Sequence, residues 1–143
     1  MIERISPEQA KEKLESEEGY VYLDVRDVSE YLAGPPPGAH NVPVIERGPF
    51  GMAPNADFVV VCEANYSKDQ KIITGCLRGG RSLRAAEMLI SAGFTCVVDM
   101  QGGFDGEMGP GGMITYDGWS RRGLPVSVEP APGATYEELK KKR

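Results

Sequence analysis

Ile72-Ile73-Thr74-Gly75-Cys76-Leu77-Arg78-Gly79-Gly80-Arg81-Ser82 is the stretch whose reading decides the fold. Apolar and β-branched residues run up to Cys76, a short Gly-rich loop with two arginines follows, and a run with helical spacing (Leu83, Ala86, Leu89, Ile90) begins at once. Strand, loop and helix N-terminus in that order is the unit from which α/β sheets are built. The same order surrounds a thiol with unpaired amide groups. A free cysteine has a pKa of about 8.5 and is mostly protonated at neutral pH. The orphan N–H groups of a first helical turn, aided by the helix dipole, favour its anion. Loop amides that converge form a nest with the same effect. Gly79 and Gly80 permit the backbone angles such a nest needs and allow close approach of a ligand. Arg78 and Arg81 add fixed charge and planar donors for oxyanions. Together these features point to a cysteine-dependent enzyme that handles a small anionic group.

The rest of the chain sets bounds on that reading. At 143 residues it fits one domain with a real core. A net charge of −5 argues against a nucleic-acid or membrane-surface binder. The apolar runs are far too short to span a bilayer, and Met1-Ile2-Glu3-Arg4-Ile5-Ser6 lacks an apolar signal segment, so a cytoplasmic location is expected. Three cysteines make no disulfide framework. Cys62 and Cys96 have apolar neighbours and read as small core residues, and His40, the single histidine, with scattered cysteines gives no zinc set.

Along the chain, Ser6-Pro7-Glu8-Gln9 reads as a capped helix start and Tyr20 to Val25 as a buried strand. Asp27 to Leu32 reads as a short helix, with Arg26 and Glu30 spaced to pair on its surface. Gly34 to Gly38 is a Pro-rich turn, Asn41 to Ile45 a further strand, and Glu46 to Pro54 a loop. Phe58, Val61, Cys62 and Tyr66 keep helical spacing. Lys71 to Gly75 is the strand before the Cys76 loop, Gly93 ends the helix after it, and Thr95 to Met100 is the next strand. Gln101 to Gly112 reads as flexible, and Trp119 as a lid over the sheet. The alternation predicts an α/β fold: one domain over residues 1–126, a central, mostly parallel sheet flanked by helices on both faces, and a Pro-rich, basic tail over 127–143.

With these residues in place, the chain closely resembles the rhodanese-like sulfurtransferases. Leu23-Asp24-Val25-Arg26 with Glu30-Tyr31, then Gly38-Ala39-His40-Asn41-Val42-Pro43, then Cys76 to Ser82, then Gly102-Gly103-Phe104, Trp119 and Gly123-Leu124-Pro125 are similar to that family's motifs, in its order. The resemblance implies that Cys76 takes a sulfane sulfur from thiosulfate or a persulfide donor and passes it to a thiophilic acceptor: cyanide, a thiol or a protein. By the same resemblance Leu77, Arg78, Gly79, Gly80, Arg81 and Ser82 form the substrate cradle through their backbone N–H groups, and no metal or organic cofactor is called for; Asp24, which ends a strand near the site, and Arg26 are read from position as candidate supporting residues, with a buried hydrogen-bonding role for Asp24 as the alternative. The chain departs from the family pattern in two places. A Gly34-Pro35 turn stands where Gly-His is commoner, and residues 105–118 are longer than a minimal member needs, enough for a flap beside the site.

Three rival readings remain. Cysteine-dependent phosphatases and arsenate reductases use the same idea, but hold five residues between Cys and Arg; here four (Leu77 to Gly80) separate Cys76 from Arg81, a smaller ring that suits sulfur better. A nucleotide-binding loop would need Lys where Arg81 stands. A non-catalytic binding module of the same fold typically lacks the cysteine that this chain keeps.

Overall fold

The structure, a computed structural model, describes residues 2–142. Its first elements follow from local chemistry. β1 (Arg4–Ile5) leads into α1 (Pro7–Glu15), where the Ser6 hydroxyl accepts from the Gln9 amide at 3.1 Å and the Gln9 side chain accepts from the Ser6 amide at 2.8 Å. β2 (Val21–Asp24) is followed by α2 (Val28–Leu32), closed by a second capping box between Asp27 and Glu30. β3 (His40–Asn41) is shorter than the expected Asn41–Ile45 strand, although the Val42 and Val44 amides still donate to the Asp24 and Val25 carbonyls at 3.1 and 3.2 Å.

The Glu46–Pro54 loop expectation is corrected. β4 (Ile45–Gly48) and β5 (Gly51–Pro54) form an antiparallel hairpin, with Phe50 fully exposed at its tip. Neither strand alternates apolar and polar residues against a core, so the pairing rests on backbone bonds that leave no sequence period. α3 (Phe58–Asn65), β6 (Ile72–Gly75), α4 (Gly80–Ser91) and β7 (Val97–Met100) match the helical and strand readings. The stretch expected to be flexible contains β8 (Gly106–Met108), paired antiparallel with β9 (Ile114–Asp117).

The central sheet has the order β1-β7-β6-β2-β3, and every pairing is parallel. Alternate residues of its strands feed two cores. Leu23 and Ile72 point to one face, where they meet Phe58, Val61 and Cys62 of α3 and Ala85, Ala86 and Leu89 of α4. Tyr22 and Ile73 point to the other, where they meet Ile5, Ala10 of α1, Tyr31 of α2 and Trp119. Helices therefore cover both faces, as expected. After β2 the chain moves outward to β3, whereas after β6 it moves the other way to β7. Adjacent strands whose connections diverge open a crevice at their carboxyl ends, the usual place for a site in such sheets. Among the described residues no helix is long and apolar enough to cross a membrane.

Within the segment read as a tail, α5 (Tyr136–Lys140) carries Tyr136 and Leu139 into the first core. The Thr135 hydroxyl caps it, and Asn65 of α3 donates to the Leu139 carbonyl at 2.8 Å. Leu139→Ala should cost about 2–4 kcal/mol in urea unfolding. A change below about 0.5 kcal/mol, the range of ordinary surface substitutions, would show that the helix is not docked.

Candidate active site

Cys76 follows the last residue of β6, at the carboxyl end of the sheet, and is almost wholly buried at 1% exposure. Its sulfur faces the loop rather than a sealed interior. The amide of Gly79 donates to Sγ at 3.0 Å and the amide of Ser82, in the first turn of α4, at 3.3 Å. The Ser82 hydroxyl lies 3.4 Å from the same sulfur. Gly79 makes this possible: as N-cap of α4 it has φ +104°, and a Cβ there would sit 3.0 Å from the Arg4 guanidinium. Amide donors converging on one sulfur from a loop and a helix start are placed to hold a negative charge or a second sulfur atom.

A second segment braces the loop from outside. Phe104 donates its amide to the Cys76 carbonyl at 2.7 Å, and Asp105 donates to the Leu77 carbonyl at 2.9 Å. Gly103 must be glycine for this approach, since a Cβ would come within 2.6 Å of the Cys76 carbonyl oxygen. Beneath the loop, the buried Asp99 carboxylate of β7 accepts from Arg4 Nε at 3.0 Å and from the Thr74 hydroxyl at 3.0 Å. Burial pushes the Asp99 carboxyl above its ordinary range, against the opposing bonds from Ser82, Thr74 and Arg4. Sequence reasoning placed neither Arg4 nor Asp99 beside the loop. The available signal was a charged residue inside the apolar run Val97-Val98-Asp99-Met100.

The charged candidates are all present at the site, but their partners differ from the sequence expectation. Arg26 does not pair with Glu30. It makes a buried fork with Asp24 at 2.8–3.1 Å, donates to the Gly34 carbonyl, and lies 4.7 Å over the Phe104 ring. Arg26 precedes the Asp27 cap, so its side chain runs back toward the end of β2 instead of along α2. Glu30 instead holds Arg81 through two bonds of 2.9 and 3.2 Å. Arg78 pairs with Asp105 at 2.6 Å, and Arg121 reaches the other oxygen of that carboxylate at 3.1 Å. The carboxylate partners of Arg78, Arg81 and Arg121 lie 16 to 51 residues away in sequence, beyond any local spacing rule. The single histidine also has a partner: His40 Nδ1 lies 2.6 Å from the Tyr66 hydroxyl, away from the loop. Cys96 is only half-buried, whereas Cys62 is fully buried.

A groove of about 480 Å³ runs beside the loop, walled by Leu77, Phe104, Ala33, Gly34 and Val126, with Arg26, Glu30, Asp105 and Ser120 along it. The segment 105–118 thus helps to shape the site through its first residue, while its hairpin extends outward.

The model of the rhodanese-like domain matches residues 6–106. The chain belongs to the rhodanese-like family. It is 40% identical over 110 residues to "Thiosulfate sulfurtransferase 16, chloroplastic" of Arabidopsis thaliana, covering 77% of this chain and 82% of that protein. It is 31% identical over 124 residues to "Thiosulfate sulfurtransferase GlpE" of Actinobacillus pleuropneumoniae, covering 87% and 92% respectively. Among solved structures, Rv0390 from M. tuberculosis superposes with a TM-score of 0.72 at 28% identity, covering 87% of this chain and 96% of that one. The rhodanese-like match ends at residue 106, just after the brace and before most of the β8–β9 extension.

Two outcomes test this rhodanese-like site. Gly103→Ala should destabilise the protein by about 1–3 kcal/mol, because a methyl group there collides with loop backbone; an unchanged melting curve would mean that the brace is loose. At neutral pH iodoacetamide should label Cys76 ahead of Cys62, whose thiol burial pushes up to about 12. Peptide mapping that finds Cys62 labelled first would contradict the placement of both cysteines.

Proposed function

We propose that this protein is a sulfurtransferase that carries a sulfane sulfur as a persulfide on Cys76. The observation that carries the reading is the pair of amides, Gly79 and Ser82, aimed at Sγ. In the first half-reaction the Cys76 thiolate attacks the outer sulfur of a donor, either thiosulfate or a persulfide. A new S–S bond forms at Cys76, the donor's S–S bond breaks, and sulfite or a thiolate leaves with the electron pair. In the second, a thiolate or cyanide attacks the terminal sulfur, and the Cys76 thiolate is restored. Two half-reactions on one nucleophile give ping-pong kinetics. Preorganised amides hold the terminal sulfur as donors do for other developing anions. The scheme calls for no cofactor.

The names of the two sulfurtransferase relatives support this assignment over the phosphatase and arsenate reductase alternative. So does the loop: amides that close on the sulfur itself leave less room for a tetrahedral oxyanion than a longer ring would. A non-catalytic role is disfavoured by the same amides, which a merely structural cysteine does not need.

Intact mass spectrometry after incubation with thiosulfate or cysteine persulfide tests the proposal. The wild-type chain should gain the mass of one sulfur atom, mapped to Cys76 and removed by cyanide, and Cys76→Ser should gain none. Sulfur retained by the serine variant, or no uptake from any donor, would refute it.

A further inference from the structure

We propose that Glu30 and Asp105 set the donor: the site takes its sulfur from an organic persulfide whose carbon body lies in the groove, in preference to thiosulfate. The inference rests on the sulfur-transfer reading above and narrows it.

The argument is one of charge and shape. Besides Arg4, which the Asp99 carboxylate neutralises beneath the loop, four guanidinium groups surround the Cys76 loop and its groove: Arg26, Arg78, Arg81 and Arg121. Three carboxylates bind them: Asp24 on Arg26, Glu30 on Arg81, and Asp105 on both Arg78 and Arg121. The surplus of one positive charge is matched once Cys76 is a thiolate, so the nucleophile that awaits sulfur sits in a mouth with no net charge. Thiosulfate is a dianion. Its attack by a thiolate gathers three negative charges, and the arginines that would offset them are each held at 2.6–3.1 Å by a carboxylate. Either those pairs break or the dianion forgoes direct contact; both weaken its binding.

An organic persulfide faces no such barrier. As R–S–SH it is neutral and as R–S–S⁻ a monoanion. The thiolate attacks the outer sulfur, the S–S bond to the inner sulfur breaks, and R–S⁻ leaves with the electron pair while the proton stays on the transferred sulfur. The group R then needs a place beside the loop, and the groove supplies one. Leu77, the residue after Cys76, opens a wall continued by Phe104, Ala33 and Val126. Its volume of about 480 Å³ falls in the range of sites that enclose small organic ligands. The Phe104 ring is held there by the Arg26 guanidinium stacked over it. Glu30 and Asp105 stand along this apolar channel, where they hold the arginines that an inorganic dianion would need and leave the carbon body of a persulfide untouched.

Single-turnover loading of Cys76, followed by rapid quench and intact mass at low ionic strength, tests the proposal with cysteine persulfide and thiosulfate as the two probes. The wild-type protein should load at least about tenfold faster from the persulfide at equal concentration, and its thiosulfate rate should change little with added salt, since there is no net attraction to screen. Glu30→Gln releases Arg81, and Asp105→Asn releases Arg78 and Arg121; each removes one negative charge while keeping a side-chain acceptor. Each should raise the ratio of thiosulfate to persulfide loading about tenfold, the scale of one unit charge near a protein surface, and that gain should shrink with salt. Equal wild-type loading from both donors, or a ratio that falls or stays fixed in both variants, overturns the proposal. The salt response of the wild-type protein decides the matter even if one variant misfolds: a steep loss of thiosulfate loading with salt would mean that the arginines are free to attract it. Loading from neither probe is a different result, since it removes the sulfur-transfer reading itself. A cysteine persulfide carried on a protein has the same reacting atoms, and faster loading from such a carrier than from free cysteine persulfide would place R on a macromolecule.

Discussion

The turn at Gly79 is the constraint on which the site depends. Between the end of β6 and the start of α4 the chain must reverse around a single sulfur atom, and it does so through one left-handed residue. That conformation aims the Gly79 amide at Cys76 and sets the axis of α4 so that the Ser82 amide follows. Any side chain at position 79 would be strained by the backbone angle and crowded by Arg4. The loop is therefore not a flexible tether for a thiol but a rigid cup, with its donors in place before a substrate arrives. Preorganisation of this kind lets amide dipoles act on a developing charge without the cost of reorienting solvent.

Three layers keep the cup rigid. Below it, the sheet supplies the Asp99 carboxylate, fixed by Arg4 and Thr74 from neighbouring strands. Beside it, the Gly102–Phe104 turn packs backbone against backbone, with Phe104 and Asp105 bonding the carbonyls of Cys76 and Leu77. Around its rim, ion pairs draw α2, the loop and residue 105 together: Glu30 to Arg81 and Asp105 to Arg78. These rim pairs are only partly buried, so their contribution to folding is small. Their larger effect is on the field that a ligand meets, because each carboxylate spends on a neighbouring arginine the attraction that an anion would otherwise feel.

Membership of the rhodanese-like family and the parallel five-stranded sheet rest on agreement between the family match and the fold. Two elements lie almost wholly beyond the family match, which ends at residue 106. The β8–β9 hairpin departs just after the brace, and α5 folds the basic carboxyl-terminal segment back onto α3 through Asn65 and the buried Tyr136 and Leu139. Both are attached to the common framework by a few backbone bonds and apolar contacts, which leaves the cup itself unaltered.

The sequence alone determined the order of strands and helices around Cys76, because buried β-branched runs and helical spacing leave periods that can be read locally. It also marked Cys76, Gly79 and Gly80 as the loop, since only that thiol has glycine and arginine neighbours. Hairpins such as β4–β5 escaped it, because exposed strands paired through backbone groups carry no apolar alternation. The state of the arginines escaped it as well. Whether Arg78, Arg81 and Arg121 face a ligand or a carboxylate depends on residues brought together from distant elements. Only the packed sheet, by setting the ends of β2 and β6 side by side, decides which charges are neutralised and which are left for chemistry.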